Sequence, residues 1–443
     1  MKKKTGIYIH IPFCKSKCVY CDFLSARPED DRQIKRYISS LAEEIREKAE
    51  MIPAGLKTVD SVFFGGGTPT LLDAGELIFI LEELKKGFVI AEDAEITTEC
   101  NPGMTGRKYY PEDEKAVKTG EQKEYFEKLR AAGVNRISFG LQSALDRELK
   151  VLGRIHKFQD FKDTFAVARA AGFENINADI ISAIPGQTIE SFRETLKLVT
   201  ELEPEHISCY SLILEEGTEL FEHLEEFPPL PDEDTEREMY HLAREFLKAK
   251  GYEQYEISNF CRKMMNMEGS GMYGNPKSGT ADPKCNSTVC NRMIGDGEKR
   301  EHKPVHESKG DYRCRHNLGY WDRAVYFGFG AGAAGFDGRV RYKNISDTEE
   351  YIEKPGSKED ISQREVLTKE EAMAEFMFLG LRKTEGVSGK DFSDSFGVTM
   401  ESVYGDILKA QVKQGFIEKT KEGYALTEKG VDVSNSVMAE YII

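Results

Sequence analysis

The chain has 443 residues, a net charge of −16 and a pI near 5.2. Such a length outgrows one ordinary core and predicts two or three domains, although a barrel can occupy roughly 200 to 250 residues alone. The only cationic run is Lys2-Lys3-Lys4, so no basic stripe can neutralise phosphates, which excludes nucleic acid and anionic membrane as partners.

The three lysines lead straight into a strand, with no apolar stretch and small-residue cleavage site before it. That predicts a cytoplasmic protein whose nine cysteines are ligands or buried thiols rather than disulfides. From residue 5 to about 260 the hydrophobic period switches between two and 3.6. Strands are predicted over 6–12, 61–64, 95–99, 136–140, 177–183 and 206–212, with helical stretches between them such as 32–51 and 158–172. Strand-helix units in series imply an α/β fold with a parallel sheet, open or curled into a barrel. Chemistry then belongs at the carboxyl ends of the strands, where "PFC", "GGGTPT", "ECNPG", "GLQS" and "AIPGQT" all lie.

Over 261–313 the pattern dissolves into Gly, Asn, Ser, Lys and Met and reads as an inserted, mobile loop. A smaller stretch around "GRKYYPEDEKAVKTGEQ" reads as solvated charge. Structure resumes at "RHNLGYW", and the longest apolar run, 324–336, is far shorter than the roughly 20 residues of a membrane span. From about 368 the signal is helical and closes on "GFIEKTKEGYALTEKG", two short strands around a turn in a winged-helix-like ending. Acids interleave with its lysines, which favours a structural or docking role over DNA binding. The predicted divisions are therefore 1–260, 261–313, 314–367 and 368–443.

The densest chemistry is "YIHIPFCKSKCVYC". Cys14, Cys18 and Cys21 share a loop short enough to face one centre, and soft thiolates select iron-sulfur clusters, zinc or copper(I). A closed zinc site wants a fourth ligand, yet the second residue after Cys21 is Phe23. A [4Fe-4S] cluster on three cysteines instead keeps one iron open to a small molecule carrying an amine and a carboxylate. "GGGTPT" offers bare backbone to such a ligand. Glu99 and Asp179 can accept from hydroxyls or an ammonium, and Arg154 can clamp a carboxylate. Each of these is, singly, as readily a surface or capping residue.

"YIHIPFCKSKCVYCDF", "FFGGGTPTLL", "ECNPG", "RISFGLQS", "LGRIH", "DIISAIPGQT", "YEISNF", "RHNLGYW" and "YFGFGAGAAGF" occur in this order along the chain. With them the sequence resembles the radical SAM superfamily, in the branch of the oxygen-independent coproporphyrinogen III oxidases and the HemW-type haem chaperones. The resemblance implies a partial six-unit (βα) barrel with a [4Fe-4S] cluster at its mouth, followed by an α-rich C-terminal domain. It places S-adenosylmethionine (SAM) contacts on Tyr8, Tyr20, Gly66, Gly67, Thr68, Glu99, Gln142, Arg154 and Asp179. The oxidases continue their cluster motif to a further cysteine, where this chain has Phe23, and carry a longer N-terminal segment. "HNLGYW" matches the chaperones' motif, so His316 is the implied haem ligand, with Tyr320 and Trp321 bordering the macrocycle; a histidine bonded locally at the start of a strand is the plainer reading. Implied partners are haem, a haem-accepting protein and an electron donor, with a homodimer compatible. The alternatives are a decarboxylating coproporphyrinogen oxidase or a redox-sensing cluster protein without SAM chemistry. The stretch before "RHNLGYW" departs from the family, and Cys285, Cys290, His302 and His306 within it raise an accessory metal site as the alternative to a plain insertion.

Overall fold

The computed structural model describes residues 5–106, 119–263, 310–354 and 356–442. Cys285, Cys290, His302 and His306, and most of the charged stretch after Gly106, lie outside them. Six parallel strands form the centre: β1 (Thr5–Ile11), β2 (Thr58–Gly66), β3 (Val89–Cys100), β4 (Arg136–Gln142), β5 (Ile176–Ser182) and β6 (His206–Ser211), side by side in chain order. The helices Asp31–Met51, Ala74–Gly87, Thr119–Ala132, Phe158–Ala170, Ile189–Thr200 and Glu233–Ala249 follow them one by one. This is the predicted partial six-unit barrel. Beyond β6 lie β7 (Tyr252–Glu256) and β8 (Asn259–Arg262), which pair antiparallel.

Most of the predicted division 314–367 belongs to the same sheet. β9 (Val325–Phe329) runs parallel to β1, and β10 (Ala334–Phe336), β11 (Val340–Lys343) and β12 (Glu365–Val366) continue antiparallel from it. Among the described residues the sheet ends in open edges at β7 and β12.

Alternation along the strands explains the layers. Ile7, Ile9, Ile11, Val62, Phe64, Ile137, Phe139 and Ile180 are wholly buried in one core with the flanking helices. The intervening positions face the lumen and are largely polar: His10, Ser61, Glu95, Glu99, Arg136, Ser138, Asn177, Asp179 and His206. A closed eight-stranded barrel fills its interior with branched aliphatics; this open one keeps a polar interior that needs hydrogen-bond partners or a ligand.

From Lys369 the chain builds a second core around Met377, Leu381, Phe392, Met400, Tyr404 and Ile417. It comprises helices Lys369–Gly380, Gly389–Phe396 and Met400–Gln414 and a small antiparallel sheet of β13 (Val387–Ser388), β14 (Ile417–Lys419) and β15 (Gly423–Leu426). β14 and β15 are the two short strands expected at the ending. The last long helix stops where Gly415 takes φ 74°, a left-handed conformation that glycine adopts without strain.

Candidate functional site

The loop after β1 is pinned at its base by Cys14 N–H to Ala26 O (2.9 Å) and Ala26 N–H to Pro12 O (2.9 Å). It carries Cys14, buried, and Cys18 and Cys21, half-buried. Among the described residues only His223, Glu225 and Glu226 bring three metal-ligating atoms within 4.8 Å of one another. Three soft thiols on one loop with no fourth cysteine there suit an iron-sulfur cluster that leaves one iron open. Burial pushes the Cys14 thiol up and Cys21 up to about 11, so both are protonated until a metal takes the proton's place.

A hydrogen-bond chain ties this loop to three other strand ends. Cys14 Sγ meets Thr68 Oγ1 at 3.4 Å, and Asn101 Nδ2 donates to the same oxygen at 2.7 Å. Arg154 donates to Asn101 Oδ1 (2.6 Å), to Gly140 O (2.5 Å) and to Cys18 Sγ (3.3 Å). Its buried Nε has no partner. Gly67 and Thr68 reach back along β1 to Ile11 O and Phe13 O, each at 2.8 Å. A Cβ on Gly67 would come within 2.7 Å of Phe13 O, and one on Gly66, whose φ is 108°, within 2.5 Å of the His10 ring. The glycines are there for close approach.

Gly66 N–H donates to Glu99 Oε2 at 3.1 Å. Glu99 is recessed in the lumen with Asp179 as a like charge, and desolvation first, then Asp179, raise its pKa to about 8. Burial also raises Asp179, which accepts from Ser138 Oγ (3.1 Å) and Asn177 Nδ2 (2.8 Å). Gln142 holds φ 72° at a bulge between β4 and β5, an uncommon strain for a non-glycine residue. An added Cβ on Gly140 would lie within 3.3 Å of Gln142, Asn101 and Arg154 side chains alike. Tyr20 packs beside Leu152, Ile181 and Leu212. His10 Nε2–H donates to Leu24 O (2.8 Å) at the far side of the cysteine loop, so its Nδ1 accepts from Tyr8 OH (3.0 Å).

The structure thus gathers the three cysteines, Gly66, Gly67, Thr68, Glu99, Gln142, Arg154 and Asp179 around one barrel mouth, with Tyr8 beneath and Tyr20 beside it. Asn101, His10 and Ser138 were not singled out from sequence. Their signal was their place inside "ECNPG", "YIHIPFC" and "RISFGLQS", at strand ends or at lumen-facing alternate positions.

His316 is not at this mouth. It lies on a short helix, Arg315–Trp321, rather than at the start of a strand, against Ser61 and Gly6 near the amino ends of β1 and β2. Gly6 and Ser61 pair five residues before Ile11 and Gly66, roughly 17 Å down the strands. The ring is 4% exposed. Nδ1 bonds Ser61 Oγ (3.0 Å), Nε2 bonds Tyr320 OH (2.9 Å), and Phe63 stacks on it at 5.1 Å. Burial lowers its pKa to about 3, so it is neutral. Glu95 receives the N–H groups of Arg315 (3.0 Å) and His316 (3.1 Å), and the helix closes the lumen from below.

A model of the radical SAM superfamily matches residues 8–199, and one of the HemN C-terminal domain matches 367–433. The Bacillus subtilis protein named heme chaperone HemW is 32% identical over 443 residues, covering 98% of each chain. The chain belongs to the HemW family of radical SAM proteins. The Escherichia coli HemW is 29% identical, over 99% of this chain and 98% of its own. Among solved structures, Escherichia coli coproporphyrinogen III oxidase, a radical SAM enzyme, superimposes with a TM-score of 0.73 over 99% of this chain and 90% of that one. At 19% identity that likeness is one of fold.

Membership in the radical SAM superfamily implies a [4Fe-4S] cluster and SAM, and the mouth suits both. It has three thiols and no fourth cysteine on the loop, an arginine with an unsatisfied buried nitrogen, and backbone bared by glycines. No helix among the described residues is long and apolar enough to cross a membrane.

Proposed function

We propose that this HemW-family protein is a haem chaperone that holds a [4Fe-4S] cluster and SAM at the barrel mouth, binds haem and passes it to an acceptor protein. The observation that carries the reading is the end-to-end likeness to proteins named heme chaperone, 32% identical over 98% of both chains, where the oxidase shares the fold alone. When bound, the cluster supplies one-electron chemistry and an open iron for an amine and a carboxylate.

The chain's own residues do the rest. Cys14, Cys18 and Cys21 would hold the cluster as thiolates, and the Arg154 guanidinium donates to Cys18 Sγ at 3.3 Å. The Gly66 and Gly67 backbone and Thr68 lie where the amine of SAM would rest. Glu99 and Asp179 accept from its ammonium and ribose hydroxyls, and Arg154 with Gln142 orients the carboxylate. Tyr8 floors the site and Tyr20 walls it. An electron donor, a cytoplasmic setting and a homodimer are consistent with this reading. His316 as axial haem ligand requires its ring to give up Ser61 or Tyr320.

Anaerobic reconstitution with a product assay tests the function. Haem should bind near one per chain, and with SAM and a reductant no protoporphyrinogen should form from coproporphyrinogen; sustained decarboxylation would assign the oxidase instead. In the same preparation Cys14→Ala, Cys18→Ala and Cys21→Ala should each lose iron and sulfide, while Cys100→Ala and Cys209→Ala keep them.

A further inference from the structure

Asn101 is joined to two of the three loop thiols through one intermediary each, Thr68 for Cys14 and Arg154 for Cys18. We propose that Asn101 is a positioning residue whose amide aims one hydrogen bond at each of these two sulfurs and thereby raises the potential at which the cluster takes up an electron. The inference rests on the placement of a [4Fe-4S] cluster on Cys14, Cys18 and Cys21.

The turn after β3 sets the residue in place. Met104 N–H donates to Asn101 O at 3.0 Å, with Pro102 and Gly103, at φ 78°, between them, as in a type II turn. An asparagine that opens a turn commonly bonds its own backbone two residues on. Here the side chain crosses to two other strand ends instead. Arg154 Nη2 donates to Asn101 Oδ1 at 2.6 Å, and Asn101 Nδ2 donates to Thr68 Oγ1 at 2.7 Å. A Cβ on Gly140 would stand 3.0 Å from that Oδ1, so glycine leaves the amide its room.

The direction of each bond follows from what each group can donate. A guanidinium has no acceptor, so the end of the amide that faces Arg154 is its oxygen. The end that faces Thr68 is then the NH2, which only donates, and the Thr68 oxygen accepts from it. The single hydroxyl hydrogen of Thr68 is therefore left for Cys14 Sγ, 3.4 Å away, and a thiolate there can only accept. Thr68 is 1% exposed, so water does not compete for that hydrogen. On the other side, Asn101 Oδ1 and Gly140 O (2.5 Å) hold Arg154 Nη2 and leave Nη1 on Cys18 Sγ at 3.3 Å.

An added electron increases the negative charge on the sulfur ligands, so bonds donated to them stabilise the reduced cluster more than the oxidised one. Asparagine is the residue this needs, because it donates at one end and accepts at the other. Aspartate accepts at both ends. With it, Thr68 would turn its hydrogen to the carboxylate and Cys14 would lose the bond.

The test is a potentiometric titration with dithionite of the full-length, anaerobically reconstituted protein without SAM, read by the electron paramagnetic resonance of the reduced cluster. The titrant supplies the electron, and no bond forms or breaks. Asn101→Asp and Thr68→Val should each shift the reduction equilibrium about tenfold or more towards the oxidised cluster, ~59 mV per tenfold for one electron. Thr68→Ser keeps the hydroxyl and should keep the parent potential. In the double variant Asn101→Asp/Thr68→Val the shift should fall short of the sum, because both changes act through the same hydroxyl. Additive shifts would reduce Asn101→Asp to the effect of an added charge and overturn the relay, as would Thr68→Val at the parent potential. Iron and sulfide should match the parent in every variant, since the thiols and not the amide hold the iron; their loss in Asn101→Asp would make Asn101 a residue of assembly and overturn its role in the potential. Absence of a four-iron cluster from the unaltered protein would overturn the cluster placement itself.

Discussion

At the scale of single residues, the mouth is governed by how far each group is removed from water. Glu99 would ionise near 4.5 in an unfolded chain, but desolvation and the nearby Asp179 raise it to about 8 in the fold. Between those values the folded state holds a proton that the unfolded state has released, so stability falls as pH rises from about 5 to 8. Glu99→Gln keeps an acceptor for Gly66 N–H and removes that proton. The midpoint of unfolding of the ligand-free variant should therefore match the parent at pH 5 and exceed it increasingly towards pH 8; parallel pH profiles would show that Glu99 is ionised in the fold throughout. The same removal from water makes Asn101 central, because it is the one side chain joining Thr68 to Arg154.

At the scale of elements, the short helix Arg315–Trp321 is too brief to be stable by itself and is held by what it plugs. Buried Glu95 accepts from Arg315 N–H and His316 N–H, its charge is felt by the wholly buried Arg136, and His316 is locked between Ser61 and Tyr320. Glu95→Ala would strand those donors and remove a counter-charge from Arg136. Breaking a buried set of this kind costs about 3 to 5 kcal/mol. Urea unfolding should register a loss of that order, with Glu95→Gln losing less; a change under about 0.5 kcal/mol would mean that the plug is held by ring packing alone. "RHNLGYW" was legible as a motif with a nitrogen ligand to offer. Which end of the barrel it occupies was not, since nothing local in those residues encodes the strand ends they meet.

For the whole molecule, the barrel and the C-terminal domain are one compact unit over the described residues, and charged pairs link them. Glu375, 8% exposed on helix Lys369–Gly380, accepts from Arg323 beyond the plug (2.9 Å) and from Arg341 on β11 (2.8 Å). Ile257 N–H reaches Arg382 O at 3.1 Å and Thr384 N–H reaches Tyr255 O at 3.1 Å. Glu375→Ala leaves two arginines without their shared carboxylate and should cost about 3 kcal/mol. Limited proteolysis should then cut the C-terminal helices faster than in the parent; an unchanged pattern would assign the junction to backbone bonds and apolar contacts.

The sequence by itself determined the strand-helix alternation and the three-cysteine loop, because each depends on periodicity or on neighbours within a few residues, while the side-by-side order of the six parallel strands came with the fold. The lumen-facing polar positions were written there too, as the alternate residues of strands such as "RISFG". Only the tertiary structure decided that residues 325–366 extend the barrel sheet through β9 beside β1, that Cys14, Thr68, Asn101, Arg154 and Cys18 form one chain of hydrogen bonds, and that His316 lies at the closed end rather than at the mouth. The reason is separation along the chain: Arg154 and Cys18 are 136 positions apart and His316 and Ser61 are 255 apart. Contacts of that reach are set by how the strands register and where the chain returns, and no local pattern carries that information.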